Sequence, residues 1–211
     1  MRTSQITPIV QRLLFVNVVV FLLKSAGYEN MIDHWFGLYY FDSPNFQIYQ
    51  FVTYMFVHAD WRHLFGNMMG LYFIGPTLEQ IWGEKRFATY YFITGIGAGI
   101  IYMAFKYYDF AQLDPATVEA IMSYPMVGAS GAIFGILLAF GYLFPNTELM
   151  IFPIPIPIKA KYFVTLYCLY EVYTGIHKVP GDNVAHWAHI GGALVGFILI
   201  KVWQTKRDRF Y

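Results

Sequence analysis

Apolar residues in this chain gather in long blocks rather than alternating with polar ones, which is the pattern of helices that cross a bilayer and not of barrel strands. Six blocks can be drawn, at about 13–28, 63–82, 87–107, 127–144, 162–175 and 184–203. The fifth is the weakest, being short and interrupted by Glu171. Between the first two lies Glu29 to Arg62, rich in Tyr, Phe and Trp with scattered acids. Aromatic side chains suit a membrane interface, so this segment is expected to be a partly embedded structure and not a solvated loop. Phe152 to Lys159 (FPIPIPIK) has prolines at alternate positions. That spacing forbids continuous helix and predicts an extended, rigid connector. No repeat interrupts the chain, and residues 1–211 read as one domain.

Composition narrows the class. With 57% hydrophobic and 13% charged residues the chain is no ordinary soluble domain, which carries about twice that charge. A net charge of +1 gives no reason to expect nucleic acid as a partner. The single cysteine, Cys168, excludes an internal disulfide and leaves no cysteine cluster for zinc. The first apolar run lacks an A-x-A cleavage site and reads as a retained helix. Placing the amino terminus in the cytoplasm collects Arg2, Arg12, Lys85, Arg86, Lys159, Lys161, Lys201, Lys206, Arg207 and Arg209 inside, and leaves Lys24, Arg62, Lys106 and Lys178 outside. This asymmetry predicts an all-α membrane protein of six transmembrane helices with both termini cytoplasmic.

The fourth block, within Met126 to Pro145 (MVGASGAIFGILLAFGYLFP), carries a serine in its outer half. At 1.5 Å per residue Ser130 stands about 22 Å above Pro145, some 8 Å short of the far edge of a 30 Å hydrocarbon layer. A serine in such a helix commonly bonds to its own backbone or joins helices, so it needs a partner to be read as a nucleophile. His189 stands about 18 Å above Lys201 in the sixth block, which also runs inward, and can lie level with it. Gly128 and Gly131 flank the serine. Gly131 with Gly135, and Gly192 with Gly196, make small-xxx-small patterns that let two helices approach. An intramembrane histidine is costly and marks a functional candidate. It can take the serine proton and return it to a leaving amine. Asp182, two turns or about 10 Å up the helix, is too far to orient it, and a Ser-His dyad is what remains. Phe134, one turn below Ser130, can pack on the imidazole.

The second block supplies His58, His63 and Asn67. Asn67 lies about 18 Å above Glu79, level with the other two. It is the first choice, with the Ser130 amide, for stabilising an oxyanion, and His58 reaches in from above. His63 is better read as tying the aromatic segment to the second helix. His58, His63 and His189 offer no carboxylate and no H-x-x-x-H pair, so zinc is a weak reading.

HADWRHLFGN, GASGAIFG and AHIGGALVG, in three successive outward-starting helices, resemble the rhomboid family of intramembrane serine proteases over essentially the whole chain. The resemblance implies Ser130 as nucleophile, His189 as general base, His58 and Asn67 with the Ser130 amide as oxyanion donors, and His63 as a structural partner of the loop. It further implies transmembrane protein substrates cut near the outer surface of a lipid bilayer, without metal or other cofactor, in a multi-pass protein expected in a prokaryotic plasma membrane. Where many members carry a Trp-Arg pair in the first outside loop, this chain reads Tyr49-Gln50. The alternative is a silent scaffold with the same fold that binds transmembrane segments. A transporter would require an inverted repeat, and none is evident. The fifth block, running through Gly175 into HKVPGDN with Gly181, reads as a gate that opens for substrate and water. Loosening it against the second block, by Val172→Ala with Tyr173→Ala, is expected to preserve or raise turnover.

Overall fold

The computed structural model describes residues 6–151, 154–177 and 184–205. Arg2, Phe152, Pro153, Lys178, Gly181, Asp182, Lys206, Arg207 and Arg209 lie outside the described residues, as does the connector over 178–183. Long helices occupy all six apolar blocks: α1 (Pro8–Leu23), α4 (Trp61–Trp82), α5 (Glu84–Phe110), α7 (Ser130–Leu143), α8 (Ala160–His177) and α9 (His186–Thr205). By length and composition alone, Pro8–Phe36, Glu84–Phe110 and His186–Trp203 can cross a membrane, whereas α7 is apolar but shorter.

Two of the long helices begin against a carboxylate that accepts from their free amides. At α4 this is Asp60, whose Oδ1 accepts from Arg62 N at 2.8 Å and His63 N at 2.9 Å. Those bonds, the one from His63 foremost, hold the Asp60 carboxyl below its ordinary range. At α1 the acceptor is remote: the buried Glu79, near the end of α4, accepts from the amides of Ile9 and Val10 at 2.9 and 3.0 Å and from the Thr7 hydroxyl. A carboxylate against a helix start is favoured by the helix dipole as well as by the hydrogen bonds.

The segment expected to be partly embedded is structured. A π-helical turn leads from α1 into α2 (Glu29–Phe36), followed by α3 (Gln50–Thr53) and a 3₁₀ turn, Tyr54–Phe56. Leu38, Tyr39, Tyr40, Tyr54, Met55 and Val57 are buried. In place of a Trp-Arg anchor, the fully buried Gln50 stitches the loop: its Oε1 accepts from Tyr39 N and Gln47 N, and its Nε2 donates to Asn45 O. Lys24 is tied to Asp33 by two contacts of 2.8 Å.

Two elements depart from the expectation. A short α6 (Pro115–Met122) follows α5. The proline-rich connector is extended, as its spacing requires, but it folds back: β1 (Glu148–Ile151) pairs antiparallel with β2 (Ile154–Lys159), with Glu148 opposite Lys159 and Leu149 opposite Ile158. Proline fits here because each strand of a two-stranded sheet has one edge with no ladder to complete.

α7 sits at the centre, packed on α9, α5 and α4. Most of its residues are buried, whereas Phe15 and Leu22 of α1 and Leu166 and Leu169 of α8 are exposed on the outside of the bundle. The fit with α9 is close enough that a side chain at Gly192 would overlap the Gly131 carbonyl, and one at Gly196 would crowd Gly135 Cα and the Tyr90 hydroxyl. Gly131 and Gly135 meet Ala98 and Thr94 of α5 on their other side.

Candidate active site

The apolar run containing Ser130 is not one helix. The expected span began at residue 127; the helix begins at Ser130 itself, after a stretch pinned to the aromatic loop. Met126 exchanges two backbone bonds of 2.9 Å with Leu38, and Gly128 N donates to Tyr54 O at 2.9 Å. Gly128 has φ +124°, a conformation that favours glycine. A side chain there would also strike the His63 ring. The turn this makes places Ser130 on the first residue of α7. The first intrahelical bond comes later, from Ile133 N to Ala129 O, so the amides of Ser130, Gly131 and Ala132 precede the ladder. Such a helix start suits developing negative charge.

His189 meets this serine from α9. Its Nε2 lies 2.7 Å from Ser130 Oγ, and Phe134 stacks on its ring with centroids 4.3 Å apart and planes 8° from parallel. Tyr167 of α8 packs on the same phenylalanine at 4.7 Å.

On the far side of the imidazole the structure corrects the sequence reading, which found no carboxylate placed to orient it. Glu171 of α8 is buried, and its Oε2 lies 2.8 Å from His189 Nδ1. The same oxygen lies 2.7 Å from the Nδ1 of His186, which the sequence reading passed over. Thr174 Oγ1 lies 3.0 Å from that nitrogen. Two signals pointed to this group: a carboxylate inside an apolar block, and the H-x-x-H spacing that sets His186 and His189 on one face of a helix. Donor atoms of Glu171, His186 and His189 lie within 4.8 Å of one another, the span of a possible metal site. Both histidine nitrogens lie within hydrogen-bond distance of the one Glu171 oxygen.

Asn67 and His58 form a second cluster, from α4 and the loop before it. Asn67 Nδ2 lies 2.9 Å from His58 Nε2, and both residues are buried. His58 Nδ1 has no hydrogen-bond partner among the described residues. The His63 ring stands edge-on to His58 at 5.0 Å and lies against Gly128, so it bridges the aromatic loop and the turn before the serine.

The rhomboid domain model matches residues 45–204, which contain every side chain of both clusters. Rhomboid protease AarA of Providencia stuartii is 30% identical over 148 residues, 69% of this chain and 52% of AarA. RHOMBOID-like protein 2 of Arabidopsis thaliana is 33% identical over 153 residues, 72% of this chain and 41% of that one. The rhomboid-named YdcA of Bacillus subtilis is 28% identical over 209 residues, 97% of this chain and 92% of its own. The chain thus spans about half the length of the first two. Other relatives have mitochondrial or chloroplastic names, so similarity does not choose the membrane. With the domain model covering most of its length and two relatives at or above 30% identity, the chain belongs to the rhomboid family of integral membrane proteins.

Proposed function

We propose that this protein is a serine endopeptidase that hydrolyses peptide bonds in or near the transmembrane segments of membrane-protein substrates. The observation that carries the reading is the 2.7 Å approach of Ser130 Oγ to His189 Nε2 at the start of a buried helix. In this reading all six long helices cross the bilayer, with both termini cytoplasmic and a prokaryotic plasma membrane as the expected location. Ser130 Oγ attacks the scissile carbonyl carbon while its proton passes to His189 Nε2. The C–N bond then breaks, the imidazolium gives that proton to the leaving nitrogen, and water releases the acyl group from Ser130 by the same steps in reverse order. The oxyanion is met by the Ser130 amide and by the Asn67 carboxamide. His58, whose bonded nitrogen faces Asn67, acts through that amide.

The test incubates the detergent-solubilised protein with a panel of single-span membrane proteins, beside Ser130→Ala and His189→Ala. Both substitutions are expected to abolish cleavage and leave thermal unfolding unchanged. Wild-type turnover in Ser130→Ala, or fluorophosphonate labelling of another residue, would overturn the assignment. Binding of the panel without any cleavage by the wild type identifies the silent scaffold instead.

A further inference from the structure

α8 contributes a group that the hydrolytic steps above leave unused. Glu171 is 2% exposed, and one of its oxygens meets the Nδ1 atoms of both His189 and His186. With Glu171 ionised, the carboxylate can only accept hydrogen bonds, and each of these nitrogens is then a donor. In a neutral His189, a hydrogen on Nδ1 leaves the lone pair on Nε2, the nitrogen that faces Ser130 Oγ at 2.7 Å. The opposite tautomer would aim an N–H at the serine and could not take its proton. Phe134 fixes the plane of the ring by stacking, but stacking does not distinguish one tautomer from the other.

The carboxylate is itself held. The Thr174 hydroxyl lies 2.8 Å from Tyr170 O, to which it donates, and its oxygen is left to accept from His186 Nδ1 at 3.0 Å. His186 Nδ1–H is thus shared between Thr174 and Glu171, and it gives the carboxylate oxygen a second donor beside His189. His186 opens α9 one turn before His189, and Glu171 and Thr174 lie three residues apart on α8, so two helix faces present all four groups to one point.

We propose that Glu171 is a positioning residue for the hydrolytic reaction. It holds His189 as the Nδ1–H tautomer and offsets the positive charge that develops on the imidazole when it takes the Ser130 proton. Glu171 stays ionised throughout: the proton moves from Ser130 Oγ to His189 Nε2 and on to the leaving nitrogen. His186 and Thr174 hold the carboxylate in place. The inference rests on the reading of Ser130 and His189 as the hydrolytic pair.

Two measurements on the full chain test it. Nitrogen-15 NMR of the histidine-labelled wild type should show His189 protonated at Nδ1 and unprotonated at Nε2, and the reverse pattern would overturn the proposal. In Glu171→Gln, kcat should fall by about 10²-fold or more, with KM changed by no more than about twofold. Wild-type kcat, or a loss confined to KM, would overturn it. The NMR result decides the question even where the variant does not fold. Failure of the underlying reading looks different: there the wild type does not cleave, or Ser130→Ala does.

Discussion

At the scale of single residues, the chemistry depends on how few free bonds each polar group has left. Asn67 spends one bond on His58 Nε2, which fixes the carboxamide and leaves a second N–H available. A donor in that position acts where charge develops, so Asn67→Ala should lower kcat by about 10²- to 10³-fold. Steady-state kinetics on a cleaved single-span substrate check this, and an unchanged kcat would reduce Asn67 to a helix-packing amide. Depth along a helix is a one-dimensional quantity, which is why counting residues could set Ser130, His189 and Asn67 level. Rotation about the helix and the order of helices around the bundle are not one-dimensional. Glu171 was therefore legible only as a break in an apolar block, although it lies 2.8 Å from His189.

At the scale of elements, α7 gets its position from what precedes it. The apolar letters from Met126 to Ala129 look the same whether helical or extended, so hydropathy alone could not show that the helix begins at Ser130. Gly128, with its positive φ, and the bonds from residues 126 and 128 to Leu38 and Tyr54 make the turn. The aromatic loop thus holds the serine, and Gln50 holds the loop. Removing that carboxamide leaves the buried amide of Tyr39 without its acceptor, at about 1–3 kcal/mol, and releases the part-buried amide of Gln47. Gln50→Ala should lower the thermal midpoint and slow fluorophosphonate labelling of Ser130 together. A lower midpoint with unchanged labelling would separate the loop from the serine. The aromatic composition of this loop pointed to a structured segment, and Tyr39, Tyr40 and Tyr54 are buried. Its anchor was not legible, because a neutral glutamine has no distinctive signature in a sequence.

At the scale of the whole molecule, a buried core helix is enclosed by helices whose outer faces are apolar. α8 and α9 together bring Glu171, His186 and His189 to the start of α7. The direct hydrogen bonds within that cluster lead to the expectation that cleavage survives strong chelators; loss in EDTA with recovery in zinc would make Glu171, His186 and His189 metal ligands. α8 packs on α7, α9 and the hairpin rather than chiefly on α4, and Tyr173 is exposed and stacks on His177 at 4.2 Å. Substituting Tyr173 therefore does little to free this helix, and a disulfide from α8 to α9 is the better probe of a gate. The tethered protein should keep fluorophosphonate labelling and lose full transmembrane substrates. Cleavage of those substrates at the untethered rate would remove the gate.

The placement of Glu171 on α8 gives such a gate a second property. A helix that swings aside to admit a substrate takes with it the acceptor that keeps the base in its working tautomer. If α8 moved in this way, His189 would lose that acceptor while the door stood open and regain it when the helix returned, and entry and bond cleavage would occur in turn, as in a mechanical interlock. A lipid or a passing helix that merely pries the bundle apart would meet a serine with no base ready to activate it.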